Sequence, residues 1–440
     1  MTVVINFFVG GLMTFEISVS GLNASNSKIA VTSNNIANSE TNGFKKSRTD
    51  FSDVFASTVT DSSLISQGRG VTVNKVAQQF NQGQLEITNR ELDLGIIGEG
   101  FFVLKDAVGA VEYTRAGAYS ADKDGLVVNH EGQRLQVYEA SITPTSTTFN
   151  TANASTDSLV DLVLPDVANP ASATTLVNSS LNLDADAIPP VNSVFSSSDT
   201  SSYNHSSTIP VYDSEGDLHD VGLYYVKLAD TVGPPALNNQ WQVNAVAGAT
   251  VTTSSFSFTD NGLLPIGGTD AFTLAPFTPA AKVDPRTGAV TQANPVSLTL
   301  NIQGSTQYGG GFIPTASYTD GYAQGQLIGL DIDDTGVVFS RYSNGQEAAL
   351  GKVALAKFNS PQNLEKMGDT NWAQSFTSGD VLLGQATLAG FGGVQSGTLE
   401  SSNVNLSGEL VNLITAQRNF QANSKGITSL NEMLETIIRV

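Results

Sequence analysis

The chain has 440 residues, 41 acidic against 21 basic, for a formal charge of −20, and no cysteine. This balance argues against nucleic acid and anionic membrane as partners, because their phosphates must be met by Lys and Arg. The missing cysteine removes disulfides, thiolate metal sites and cysteine nucleophiles together. Only 14% of the residues are charged, so Ser, Thr, Asn, Gln and Gly make up most of the surface, and the length suits about three domains.

The opening Met1–Leu12 (MTVVINFFVGGL) is apolar but lacks a basic leader and a small-residue cleavage site, and it is too short to span a bilayer. Met13 begins a heptad pattern, so the mature chain is expected to start there, without residues 1–12. Phe15, Leu22, Ile29 and Ile36 form one apolar row, with Val19, Asn26 and Ser33 between them. A stripe this narrow is a coiled-coil seam rather than the broad face of a globular helix. The helix should run from about Phe15 to Asn38. Asn34, Asn35, Asn38 and Asn42-Gly43 then supply residues that tolerate the left-handed conformation of a C-cap.

Lys45-Lys46-Ser47-Arg48 is the basic cluster of this acidic chain. It suits either a contact with an acidic patch on a neighbouring subunit or a solvated turn after the helix. Residues 45–90 read as an extended or irregular connector. From Glu91 the pattern has period two: Leu92, Leu94 and Ile96 share a face, and Phe101 and Val103 follow the Gly98-Glu99-Gly100 turn. Residues 141–158 are Ser, Thr, Asn and Ala-rich and read as a linker.

Strands resume at Val160, Leu162 and Leu164, at Val221, Leu223 and Tyr225, and at Val296, Leu298, Leu300 and Ile302. A third set, Leu330–Ile332, Val337–Phe339 and Val353–Leu355, should pair with the first. The last helix carries Leu406, Leu413, Phe420, Ile427 and Leu434 in one heptad row. Leu410, Gln417, Ser424, Asn431 and Ile438 stand between them. Polar residues in a seam fix register at a cost in stability, which favours ordered assembly over a plain helical hairpin.

The fold class expected is therefore α+β: paired terminal helices with two mainly-β domains between them, the outer inserted in the inner. The boundaries are 13–44 and 398–440 for the helical domain, 45–90 for the connector, 91–155 and 316–397 for the inner β domain, and 156–315 for the outer one.

Catalytic and metal signals are weak, and neither an enzyme nor a cofactor or metal site is expected. Asp213-Ser214-Glu215-Gly216-Asp217-Leu218-His219 misses the calcium-loop pattern because Gly216 falls too early. Asp331-Ile332-Asp333-Asp334-Thr335-Gly336 is more simply a turn than a carboxylate pair for acid–base work. Gly98-Glu99-Gly100-Phe101 lacks the third glycine and the helix of a phosphate loop.

Three sets of residues resemble one family. The first is Ser20-Gly21-Leu22-Asn23-Ala24 with Asn34-Asn35-Ile36-Ala37-Asn38 and Thr41-Asn42-Gly43-Phe44-Lys45. The second is Gly98-Glu99-Gly100-Phe101-Phe102 with Tyr113-Thr114-Arg115-Ala116-Gly117. The third is Leu399-Glu400-Ser401-Ser402-Asn403-Val404-Asn405-Leu406 with Ala416-Gln417-Arg418-Asn419-Phe420. They resemble the flagellar axial proteins of rod, hook and hook junction. The large insertion, with Tyr318-Thr319-Asp320-Gly321-Tyr322-Ala323 and Val211-Tyr212-Asp213-Ser214, resembles the hook branch.

The resemblance implies a structural subunit of the bacterial flagellar hook. Such a subunit is a homopolymer forming a flexible curved tube, a universal joint that passes torque from rod to filament. It implies a hook cap protein, a distal rod protein, a hook-filament junction protein and the flagellar export apparatus as partners. It also implies an extracellular location reached by type III export without a cleaved signal peptide. The family motif residues are Asn34, Asn35, Ala37, Asn38, Thr41, Asn42, Gly43 and Phe44, and the helix seams are the expected assembly sites. Bending requires contacts between outer domains to slide, so these should be polar and wet. A distal rod protein and a β-rich secreted adhesin are the alternatives.

Overall fold

The computed structural model describes residues 2–54, 68–143, 146–149, 155–165, 168–230, 239–265, 271–283, 286, 288 and 290–438. Between helices at the two chain ends the regular elements, among the described residues, are strands apart from three short 3-10 turns, as the α+β reading expects. Among the described residues no helix is long and apolar enough to cross a membrane. The chain divides into two compact units. The first comprises Met1–Asp166, Gly329–Ser340 and Glu347–Val440, and the second Val167–Ile328 and Arg341–Gln346.

In the first unit α1 spans Thr2–Ala37 and α2 spans Leu406–Ile438. Helix α1 begins well before Phe15, so residues 2–12 continue the heptad helix rather than preceding it. Asn405 caps α2: its side chain accepts from the Gly408 N–H at 2.9 Å, satisfying one donor that the first turn leaves open. Asn35 lies beside Glu409, Gly21 beside Asn423 and Gly426 beside Ser18, so the two helices run antiparallel.

The connector is more regular than its composition suggests. Ser47–Asp53 and Val71–Gln78 form an antiparallel ribbon with a register shift between Asp50 and Phe51, and Leu85–Ile87 pairs with Thr398–Glu400. Residues 55–67 of that segment lie outside the described ones. A larger sheet follows the order Leu327–Ile332, Val337–Tyr342, Glu347–Lys357, Arg134–Thr143, Phe101–Lys105, Val111–Thr114, Asn371–Ala373 and Glu365–Gly368. The third strand set thus joins the first, since Leu355 pairs with Phe102 and Val353 with Val137.

Alternation sends Phe102 and Leu104 to one core and Phe101 and Val103 to another. Both faces of this sheet are therefore covered. The 141–158 segment differs from a linker. Strand Arg134–Thr143 runs into it, and Ser146–Phe149 folds back antiparallel. Thr-rich stretches suit a pleated surface once a neighbouring strand offers its edge. Residues 144–145 and 150–154 lie outside the described ones.

Among the described residues the second unit has two larger sheets and a two-stranded ribbon, Lys282–Val283 paired with Val290–Thr291. Strands His205–Tyr212, Leu218–Lys227, Gln240–Ala247 and Thr250–Ser257 form a four-stranded meander. The other sheet centres on Leu176–Asp184, with Thr299–Asn301, Thr306–Tyr308 and Ile313–Thr319 paired to it. Both sheets contribute to one core, which holds Leu183, Val221, Leu223, Tyr225, Trp241 and Leu300.

Candidate functional site

The family-motif residues converge where α1 gives way to the first strand. Gly43 takes φ +72° there, and its N–H donates to the Glu400 carbonyl at 2.7 Å. A Cβ at this position would lie 2.5 Å from the Ala116 backbone nitrogen. Only glycine meets both demands, the left-handed backbone and the close approach of a second chain segment.

The turn directs Lys45 inward. Its side chain and that of Glu400 are both 0% exposed, and Lys45 Nζ donates to Glu400 Oε1 at 2.6 Å and to the Asn81 carbonyl at 2.9 Å. The other carboxylate oxygen, Oε2, accepts from Arg115 Nη1 at 3.1 Å, while the Gly83 N–H donates to Oε1 at 2.7 Å. Arg115 Nη2 reaches the Gly98 carbonyl at 2.8 Å, and the guanidinium lies over the Phe101 ring. Burial pulls Lys45 and Arg115 below their ordinary basic ranges, and the Glu400 charge opposes that pull in both.

One carboxylate thus holds two cations, each hundreds of residues away in sequence. Burying ions costs several kcal/mol apiece, roughly, and the cluster offsets it with charge-assisted bonds from Lys45, Arg115 and the Gly83 N–H to one carboxylate, although Arg115 Nε is left without a partner. Lys45 is therefore neither a subunit contact nor part of a solvated turn, which were the two sequence readings. Its partner lies in the same chain, and no local pattern shows that.

Asparagines extend the clamp. Asn35 exchanges two hydrogen bonds with the Ser47 backbone, accepting at 2.9 Å and donating at 2.8 Å. Asn403 accepts from the Lys46 N–H at 2.8 Å and donates to the Gln79 and Asn81 carbonyls. Both side chains imitate a strand edge and give buried backbone groups their partners. Of the remaining motif residues, Asn34, Ala37 and Thr41 face solvent. Asn38, Asn42 and Phe44 are half-buried.

The helix pair differs from its sequence reading in phase. Leu413, Phe420 and Ile427 are half-buried, as are Val19, Leu22, Ile29 and Ile36 on α1. The second row in contact, however, is Glu409, Ala416, Asn423 and Leu430 rather than the row beginning at Leu410. Gln417 and Asn431 are exposed, as are Asn26 and Ser33. Small residues decide this: Ala24, Ser25, Thr32 and Ala416 are buried, and a Cβ on Gly21 would come within 2.8 Å of Asn423 Nδ2. Counting the largest apolar residues misses an interface built on close backbone approach. Phe15, Leu406 and Leu410 remain exposed, and the side chains of Leu434 and Ile438 lie outside the described ones.

The acidic segments are turns. Asp213 Oδ1 accepts from the Glu215 and Asp217 N–H groups, and its Oδ2 meets His219 Nε2 at 2.8 Å. Asp333 Oδ1 accepts from the Thr335 and Val337 N–H groups, and Gly336 supplies φ +78°. Among the described residues, His130, Glu131 and Asp369 place three metal-ligating side chains within 4.8 Å of one another, all exposed. The Glu131 carboxyl is pushed up by its hydrogen bond to Asp369, and Asn371 donates to it at 2.8 Å.

Four stretches match known protein families. Residues 15–45 match the flagella basal body rod protein family and 95–175 the flagellar hook protein FlgE/F/G D1 domain. Residues 182–322 match the flagellar basal body protein FlaE D2 domain, and 395–440 the flagellar basal body rod FlgEFG protein C-terminal family. Over its length the chain is 36% identical to the flagellar hook protein FlgE of Salmonella typhimurium, across 97% of this chain and 100% of that one. The FlgE of Escherichia coli K12 is also 36% identical, with the same coverage. That of Borreliella burgdorferi is 32% identical over 96% of this chain and 98% of its own. The crystal structure of Helicobacter pylori FlgE2 has a similar fold, with a TM-score of 0.52 at 15% identity, covering 72% of this chain and all of that one.

Proposed function

We propose, for a chain that belongs to the flagellar hook protein family and so is a non-enzymatic structural subunit of the hook, that its terminal helices drive polymerisation. The observation that carries this is a stripe on α2. Leu406, Leu410 and Ile414 recur every fourth residue with Val411 beside them, and all four are 44–63% exposed. Apolar side chains in this helical register form a face that seeks a partner helix.

In the polymer, Leu413, Phe420, Ile427, Leu22, Ile29 and Ile36 hold the two helices of one subunit together. The α2 stripe joins neighbouring subunits into a coiled-coil core around the central channel. The inner β domain, with the outer one nested in it as an insertion, forms the surrounding layers. Their contacts bend by sliding, which a Ser-, Thr- and Asn-rich surface allows. The distal rod protein, hook-filament junction protein and cap flank the polymer. Subunits reach the tip through the export apparatus without a cleaved signal.

Leu410→Asp tests this directly. The side chain is exposed, so the soluble subunit should keep its circular dichroism and melting curve. Burying a leucine is worth about 1.5–3 kcal/mol, so the concentration needed for tube assembly should rise at least about tenfold, as read by electron microscopy. Asp217→Ala, at the tip of the polar hairpin where Asp217 pairs with Lys282, should assemble normally. Equal assembly of both variants would refute the assignment to α2.

A further inference from the structure

His205 opens the first strand of the meander in the second unit, where it pairs with Tyr225. Its half-buried ring stacks on Phe312, with 4.9 Å between centroids and 9° between planes, and Trp241 lies 6.2 Å away at 28°. Among the described residues His205 Nε2 is buried and meets no hydrogen-bond partner, and Nε1 of the neighbouring Trp241 meets none either. Buried polar atoms left unpaired are rare in folded proteins, and each calls for a physical reason.

A neutral imidazole can leave one nitrogen as an idle acceptor. An imidazolium carries an N–H on both nitrogens, so protonation would enclose a charged donor with no acceptor. The aromatic faces attract a cation but do not replace the missing acceptor. Few charges face the ring. From the strand Leu176–Asp184, the Asp184 carboxylate favours the cation, although it also accepts from the Asp186 N–H at 2.9 Å. From Leu218–Lys227, Tyr225 stays neutral, its hydroxyl pushed up to about 12 by burial, and Lys227 Nζ lies 5.4 Å from the Trp241 ring centroid. The strands His205–Tyr212 and Gln240–Ala247 and residues 309–313 bring no charge. Burial outweighs Asp184 and holds His205 below the usual histidine range.

We propose that His205 is an acid-sensitive switch in the second unit, which takes up a proton only when its ring leaves the Phe312–Trp241 stack. In the unfolded chain the imidazole is protonated near pH 6.5, roughly, while the folded unit resists that proton. Well above this pH the ring is neutral in both states and stability does not depend on it. Below it the unfolded chain binds one proton more than the folded one. Each further unit of acidity should then raise the unfolding constant of the second unit about tenfold, until the folded ring also titrates.

The test is urea unfolding of the full chain in a Trp372→Phe background, followed by Trp241 fluorescence from about pH 8 to about pH 5. His205→Phe keeps the stacking and cannot take a proton, and His205→Gln serves where the larger ring packs badly. Because His219 lies in the same unit, the reading is the difference between the unaltered chain and these variants. Both variants should be flatter by one proton, which is about tenfold in the unfolding constant per pH unit on the acid side. In parallel, histidine-labelled NMR of the unaltered folded chain should show one resonance, absent from the variants, that keeps its neutral position down to about pH 6. Equal pH slopes in all three proteins would overturn the switch. So would a His205 resonance that titrates in the folded chain like that of a free histidine, a readout that holds even if neither variant folds.

Discussion

Glu400→Ala is expected to unfold the first unit before any other single side-chain deletion in the junction does. The substitution leaves the Lys45 ammonium and the Arg115 guanidinium buried without their shared counter-ion, and it orphans the Gly83 N–H. Removing one partner of a buried ion pair costs about 3–5 kcal/mol, because the desolvated charge is left uncompensated. Glu400→Gln keeps hydrogen-bonding atoms in place and should lose less. Lys45→Met should also lose less, since Glu400 and Arg115 then remain a neutral pair.

The two tryptophans make this measurable by unit, because Trp372 lies in the core of the first and Trp241 in that of the second. In a Trp241→Phe background, urea unfolding followed by Trp372 fluorescence should rank the losses Glu400→Ala above Glu400→Gln and Lys45→Met. If Lys45→Met proves as damaging as Glu400→Ala, the carboxylate is not the hub.

Gly43→Ala should be comparably severe, and a control separates its two causes. A non-glycine residue held at a left-handed φ costs about 1–3 kcal/mol. At Gly43 the added Cβ also meets the Ala116 and Arg115 backbones at 2.5–2.8 Å, where no side-chain rotation relieves it. Overpacking of that kind adds roughly another 1–3 kcal/mol. Gly132 has a similar φ of +82° but no atom within 4 Å of its hypothetical Cβ. Gly132→Ala should therefore lose only the conformational part under the same urea assay. Equal losses at the two positions would mean that the close approach of the 43 and 115–116 segments contributes nothing.

Both substitutions act on a junction joining the N-terminal motif, the Arg115 segment and the segment before α2. Damage there should reach assembly indirectly. Gly43 and Glu400 fix where α1 and α2 leave the sheet, and so fix the helix pair whose outer stripe we propose as the contact with other subunits. The expected signature is a less stable monomer with a proportionate loss of polymer. Leu410→Asp should give the opposite signature, an intact monomer that assembles only at a higher concentration.

Much of the architecture is legible in sequence because it depends on local periodicity. The 3.5-residue rows at both ends specify helices, period two from Glu91 onward specifies strands, and Asp-x-x-Gly turns such as Asp333–Gly336 specify hairpins, all through contacts a few residues long. The large insertion likewise marks where a second core must form.

What the sequence could not determine is how these elements meet. The phase of the helix pair rests on Gly21, Ala24 and Ala416, whose smallness matters only once a particular neighbour lies opposite. Hydrophobicity counting, which weights large side chains, therefore chose the row beginning at Leu410. The Lys45 partner is 355 residues away, and a basic run in an acidic chain is indistinguishable from a surface patch until folding brings Glu400 to it. Local periodicity fixed which elements form. Only the tertiary structure decided which faces are buried within the chain and which remain exposed, because desolvation and close approach are properties of pairs of segments.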